Sequence, residues 1–259
     1  MAQNFRTIVR IAYAVVGGGQ SAAEIVQFLY ARGAKVSAIV SRFGYMPADD
    51  SPFVNQIFDP DQVDQFFFTS SETRGKIHDL HAVTNYAGVD GDLLQEIYAD
   101  WYQDRITGEN RLDFNRMCRV TGATGTSDGV RMTLDNALNS TRTEMQADYL
   151  ICATGFHARS VLGLMSPNLR ASAVQDEKQN PVFDRDYSVC LSDTELSGIY
   201  APHMSETQHG LTATLLSNMA IRSGEIVQSI LQKLETSRAN TSHPIQQQPL
   251  LDTRELVNG

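Results

Sequence analysis

The sequence predicts an α/β fold, and three observations point to it. Arg10 to Val16 is an apolar, β-branched run that ends in Gly17-Gly18-Gly19. From Ser21 to Ala31 the apolar positions Ala22, Ile25, Val26, Leu29 and Tyr30 recur at helical spacing. Gly33 then stands where a helix C-cap belongs, and Ala34 to Val40 supplies a second strand. Strand, glycine turn, helix and strand make one βαβ unit, the building block of a Rossmann-like domain.

The remaining elements follow in order. Arg42 to Pro60 reads as a loop, with Pro47, Asp49, Asp50, Ser51 and Pro52 as its turn residues, and long loops of this kind are disproportionately functional. Asp61 to Tyr86 is polar and mostly helical in pattern, and Asp92 to Tyr102 reads as an amphipathic helix. Cys118 to Gly122, Gly129 to Leu134 and Thr141 to Met145, separated by Thr-Ser-Asp-Gly and Asn-Ala-Leu-Asn turns, predict a β-meander. Asp148 to Ala153 is a further strand ending in Thr154-Gly155, and Gly198 to Ala201 a short one. Leu211 to Leu234 predicts a helix with a bend near Ser223-Gly224, and from Glu235 onward the chain is polar, Gln-rich and expected to be disordered. There is no internal repeat.

Composition sets the class. The 259 residues are 42% apolar and 20% charged, the balance of an ordinary globular protein. A net charge of -9 without a basic stripe argues against a nucleic-acid partner. No apolar stretch approaches the roughly 20 residues of a membrane span. The first residues show no secretory signal pattern, so a cytoplasmic location is expected. Cys118, Cys152 and Cys190 are far apart and form no Cys-x-x-Cys, which argues against a disulfide framework or a dithiol centre; they read as small buried residues in or near strands. His78 and His81 lie three apart with no third ligand in view, so no metal is assigned.

The glycine turn carries chemistry. Gly17, Gly19 and Ala22 fill the G-x-G-x-x-G/A fingerprint: the first turns the chain, the second lets backbone approach a pyrophosphate, and the third packs helix on strand. A pyrophosphate would sit on the helix N-terminus that Ser21 opens, where unpaired N–H groups and the dipole favour anions. After the second strand, sites that prefer NAD carry an acid for the ribose hydroxyls, whereas this chain has Ser41-Arg42, a hydroxyl and a guanidinium suited to a 2′-phosphate. The preferred cofactor is therefore NADPH. The competing readings are a glycine turn before an ordinary helix and a plain surface arginine at a strand end.

Further motifs narrow the chemistry. The loop Met46 to Asn55, the segment Thr84-Asn85-Tyr86, the Ala153-Thr154-Gly155-Phe156 turn and the run Gln208 to Ser217 follow the glycine fingerprint in a fixed order. Together they resemble the flavin-dependent N-hydroxylases of siderophore biosynthesis, the L-ornithine N(5)-monooxygenase and L-lysine N(6)-monooxygenase family, with the ornithine type nearest. The resemblance covers the chain up to about Leu234. It implies a monooxygenase in which NADPH reduces FAD, the reduced flavin activates O2, and one oxygen atom passes to a neutral side-chain amine. The cofactor does the hard chemistry while the protein positions partners and excludes water, so no acid or base residue is assigned as catalytic. By resemblance, Gly17, Gly19, Gln20, Ser21, Ala22 and Arg42 serve NADPH, and Thr154, Gly155 and Leu215 belong to the cofactor motifs. Asn55 and Asn85 resemble the asparagines that hold the α-amino and α-carboxylate groups of ornithine, and Ser217 lies in the motif lining the flavin and the amine. Neutral amides can orient a zwitterion without adding a competing charge. The bland reading of each is a loop-stabilising amide or a helix hydroxyl. Gln56 stands where the family usually has an acid, and a lysine or a diamine of similar length is the competing substrate.

In this family an FAD fingerprint lies well ahead of the NADPH fingerprint, yet only sixteen residues precede Gly17 here. The expected architecture is an α/β, Rossmann-like NADPH-binding domain with a β-meander, plus the C-terminal portion of an incomplete FAD-binding Rossmann-like domain to which Asp148–Phe156 and Gly198–Leu234 return. The expected boundaries are 1–115, 116–234 and a tail at 235–259. The lysine expected to bind the substrate carboxylate would lie in the absent half. Exposed edges and apolar surface would follow, to be met by a homo-oligomer or a complementing FAD-domain polypeptide. Two readings stand: part of an active N-hydroxylase, or a degenerate chain that at most binds NADPH. An FAD/NAD-linked disulfide reductase shares the glycine fingerprint but needs a redox cysteine pair that this sequence lacks.

Overall fold

The computed structural model describes residues 11–86, 88–157, 159–192 and 198–241. Its centre is a four-stranded parallel sheet formed by β1 (Ala12–Val16), β2 (Lys35–Val40), β5 (Leu112–Arg116) and β9 (Tyr149–Cys152), in the order β5-β2-β1-β9. Such strands are buried on both faces, which is why β1 reads as a continuous apolar run rather than an alternating one. Helix α1 (Gln20–Ala31) makes the crossover from β1 to β2 and buries Ala22, Ala23, Val26 and Tyr30. It ends in a Schellman turn, with the Gly33 amide donating to the Tyr30 carbonyl and the Ala34 amide to the Leu29 carbonyl at Gly33's positive φ of 86°.

Side chains alternate across the sheet and build two cores. On one face Val15, Val36 and Ala38 pack with α1 and with α6 (Gly91–Thr107). On the other, Ala14 and Ile39 pack against Cys118, Met132, Leu134 and Ala147 of a three-stranded antiparallel meander, β6 (Cys118–Thr126), β7 (Gly129–Asn136) and β8 (Thr141–Ala147). The buried Asp104 carboxylate ties α6 to the start of β5: it accepts from the Arg111 and Leu112 amides at 2.7 and 3.1 Å and from the Tyr30 hydroxyl at 3.2 Å.

Between β2 and α6 the chain makes a helical excursion. The short parallel pair β3 (Met46–Pro47) and β4 (Gly88–Val89) closes its base. Inside it run α2 (Pro52–Asn55), a 3-10 turn at Gln56–Phe58, α3 (Gln62–Phe67), α4 (Ser71–Leu80) and α5 (Ala82–Asn85). Against this excursion rests a C-terminal unit whose own core is Val161, Met165, Ala173, Phe183 and Val189. It contains α7 (Pro167–Ser172), α8 (Glu206–His209), a 3-10 turn at Leu211–Thr214 and the long α9 (Met219–Thr241). Among the described residues no helix is long and apolar enough to cross a membrane.

Several expectations change. The strand from Asp148 does not leave for another sheet: β9 pairs parallel with β1, so the sheet runs across the expected 115/116 boundary. Which sheet a short apolar strand joins is a long-range matter that its own sequence does not encode. The helix expected from Leu211 is two elements, because Leu215 is extended and Arg222, from the first turns of α9, donates back to the Thr212 and Ala213 carbonyls. The bend near Ser223-Gly224 does not interrupt α9, and α9 continues past Glu235 to Thr241, as good helix formers propagate a helix once begun; residues 242–259 lie outside the described set. Tyr200 forms only an isolated bridge with Ser188 in place of the short strand at 198–201. Cys118 is buried as expected, but Cys152 at the end of β9 is exposed.

Candidate functional site

Open parallel sheets bind ligands beyond the carboxyl ends of their strands, where neighbouring connections leave in opposite directions. Here that point lies between β1 and β9. A Cβ built on Gly17 would stand 2.2 Å from the Ala153 carbonyl oxygen, and Gly17 has φ of +151°, so both space and backbone require glycine. Gly19 begins α1 with no side-chain cap, and the Ala23 amide donates to the Gly19 carbonyl at 3.1 Å. The amides ahead of Ala23 have no partner inside the helix and are available to an anion. Ser21 is exposed at this end, and Ala22 is fully buried against the sheet as the fingerprint requires. Ser41 and Arg42 follow β2 at the same edge, and the Arg42 carbonyl receives the Met117 amide after β5. Thr154 and Gly155, both exposed, follow Ala153 beside the glycine turn.

Gln20 is occupied differently. Its amide donates to Glu24 and Asp90, each at 2.9 Å, and its carbonyl accepts the Asp90 amide at 2.8 Å. The side chain thus ties the start of α1 to the start of α6.

The second group lies where the helical excursion meets the C-terminal unit. A cavity of about 400 Å³ is walled by Phe53, Gln56, Phe66, His81 and the run His209 to Thr212. It brings the loop after β3 against the late motif. The Thr84-Asn85-Tyr86 segment joins them through the Tyr86 hydroxyl, 2.6 Å from a Glu206 carboxylate oxygen and 3.0 Å from the Thr214 hydroxyl. Asn55 is exposed at the end of α2, and its amide donates to the Asp50 carbonyl at 2.9 Å, fixing the loop that carries it. Asn85 closes α5, and its side chain lies outside the described set. Leu215 and the exposed Ser217 stand in the break before α9. No hydrogen bond among the described residues links 153–155 to 211–217, so the cofactor candidates fall into two groups.

Sequence reasoning missed the groups that hold this second region together. His209 is fully buried, stacks on Tyr187 with centroids 4.1 Å apart, and places Nε2 3.1 Å from the Arg185 carbonyl. Burial pushes its imidazole down to about 4. Asn218 donates to the Phe58 carbonyl at 2.8 Å, and the buried Arg222 seals the 3-10 turn from within. The late motif contains His209 in plain view, but its position between α3 and the C-terminal unit has no local signature.

The model of the L-lysine 6-monooxygenase/L-ornithine 5-monooxygenase family matches residues 3–158. The chain belongs to this family. The L-ornithine N(5)-monooxygenase of Pseudomonas aeruginosa is 34% identical over 228 residues, covering 87% of this chain and 50% of the relative. An ornithine N-hydroxylase from Kutzneria, solved with reduced FAD, NADP+ and L-ornithine, superposes with a TM-score of 0.81 at 39% identity, over 86% of this chain and 54% of its own. The reduced ornithine hydroxylase of P. aeruginosa gives 0.78 at 32% identity, over 86% and 53%. This family member spans about half the length of the curated relatives it matches.

Proposed function

We propose that this chain takes part in the N-hydroxylation of the side-chain amine of L-ornithine, with NADPH, FAD and O2, for hydroxamate siderophore biosynthesis. The observation that carries this reading is the cavity in which Phe53, Val54 and Gln56 face His209–Thr212, with Tyr86 tied to the same late motif through its hydrogen bonds to Glu206 and Thr214. The glycine cradle at Gly17, the open start of α1 and Ser41-Arg42 fit a 2′-phosphorylated dinucleotide. In this reading Ser21 and the α1 amides receive the pyrophosphate and Arg42 the 2′-phosphate. Asn55 and Asn85 orient the amino-acid end of the substrate, and Ser217 borders its amine. Thr154, Gly155 and Leu215 are the residues assigned to FAD, which when bound supplies electron transfer from NADPH and activation of O2. The apolar side chains of the cavity, Phe53, Phe66 and Leu211, are surfaces against which the methylene chain of the substrate would pack. We assign the protein to the cytosol, acting as a homo-oligomer or with a polypeptide that completes the FAD site.

The test supplies the purified chain with FAD, NADPH and L-ornithine and measures N5-hydroxyornithine together with NADPH oxidation. Product that depends on ornithine, and falls when lysine or cadaverine replaces it, upholds the reading. NADP+ binding without product under these conditions favours the degenerate, binding-only chain, and failure to bind NADP+ removes both.

A further inference from the structure

A second cavity, of about 430 Å³, lies between α6, the edge strand β5 and the segment after β2. Its walls are aromatic: Phe43, Tyr45, Tyr98, Trp101 and Phe114. The rings brace one another, with Phe114 edge-on to Tyr45 at 5.7 Å and to Trp101 at 6.2 Å. Besides Gln95, two further polar groups stand among them. The Arg116 guanidinium lies 5.2 Å from the Phe43 ring centre and 5.4 Å from that of Trp101, and among the described residues it meets no carboxylate. The Tyr45 hydroxyl is buried without a hydrogen-bond partner. Both groups are donors. An unsatisfied buried hydroxyl is costly, and a guanidinium held over aromatic faces without a counter-ion is available to an anion. The volume is that of a small-molecule site.

We infer that this cavity is a binding site for a small planar aromatic carboxylate, whose ring stacks among Phe43, Trp101 and Phe114 while its carboxylate engages Arg116 and its polar edge meets Tyr45. The cavity adjoins the Arg42 end of the dinucleotide site, since Phe43 follows Arg42 and the Arg42 carbonyl receives the Met117 amide beside Arg116, whereas the glycine turn lies at the junction of β1 and β9. Nothing in the proposed hydroxylation uses it, so it enlarges the range of molecules this chain recognises.

The chain contains a single tryptophan, and it lines this cavity, so intrinsic fluorescence reports on the site directly. Benzoate is the probe, with benzamide as the uncharged ring and cyclohexanecarboxylate as the anion without a flat face. Benzoate should change Trp101 emission saturably, with both controls at least tenfold weaker. Arg116→Met should weaken benzoate at least tenfold, Arg116→Lys should keep most of the affinity, and Tyr45→Phe should weaken 4-hydroxybenzoate severalfold while leaving benzoate within twofold, each variant retaining the wild-type circular dichroism. Benzamide binding as tightly as benzoate, or Arg116→Met leaving the titration unchanged, overturns the proposal. Displacement of benzoate by 2′,5′-ADP that disappears in Arg42→Ala also overturns it, because the cavity would then belong to the dinucleotide.

Discussion

Arg42 and His209 show how single side chains set the two ends of the candidate site. Arg42→Ala should weaken NADP+ by about 1–3 kcal/mol, the scale of a lost charge-assisted phosphate contact, and leave NAD+ unaffected. Parallel calorimetric titrations decide it, and equal losses for both nucleotides remove the 2′-phosphate assignment. His209 acts on stability. Its imidazole is held at about 4 in the folded chain, below the usual value near 6.5, so between these limits the unfolded chain binds more protons than the folded one. Stability is therefore full above pH 6.5 and is lost as pH falls toward 4. The shift corresponds to about 3 kcal/mol at most. His209→Phe, which keeps a flat ring between Tyr187 and Phe67, should flatten that part of the urea-midpoint profile. A mutant profile as steep as the wild type between pH 4 and 6.5 assigns the dependence elsewhere.

Among the elements, α9 depends on a compact polar anchor. Asp186 accepts from Ser188 and Ser229 and pairs with Lys233 at 3.0 Å, and Tyr200 bonds Ser229 at 2.9 Å. Burial alone would raise the Asp186 carboxyl, but the hydrogen bonds from Ser188, Ser229 and Lys233 overcome it and hold the group well below the usual carboxylate range. Asp186→Asn should cost about 1.5–3 kcal/mol, the worth of hydrogen bonds to a charged group, read as a lower urea midpoint at neutral pH. None of this anchor was legible in the sequence, since Asp186, Ser229 and Lys233 are brought together only by the packing of α9. What was legible is local. The βαβ unit, the meander and α6 each announce themselves by period and turn chemistry, and Gly17 and Ala22 stand in the structure as the fingerprint requires. Pairing partners were not legible, which is why β9 was expected elsewhere. Gln20 lies in the fingerprint yet serves the α1–α6 junction, because its long amide reaches the Asp90 backbone and side chain at once.

At the scale of the whole molecule the two ends of the candidate site rest on different supports. The dinucleotide end stands on the sheet and its two buried cores. The cavity end stands on a seam between the helical excursion and the C-terminal unit. Arg185 spans that seam, pairing with Asp64 of α3 and with both carboxylate oxygens of Glu225 in α9 at 3.0 and 3.2 Å, while its carbonyl receives His209. The contact is partly exposed, so its worth is that of a network of charge-assisted bonds screened by solvent, about 1–2 kcal/mol. Arg185→Met keeps the stem and removes the charge. Because the seam and the sheet share no core cluster, the substitution should raise hydrogen exchange of the 206–214 amides about tenfold while the NADP+ affinity stays within twofold. If NADP+ affinity falls together with protection at 206–214, the molecule behaves as one cooperative unit and the two ends are coupled through the excursion. If neither changes, Phe67, Tyr187 and His209 hold the seam by stacking alone, and the ion pairs add nothing to it.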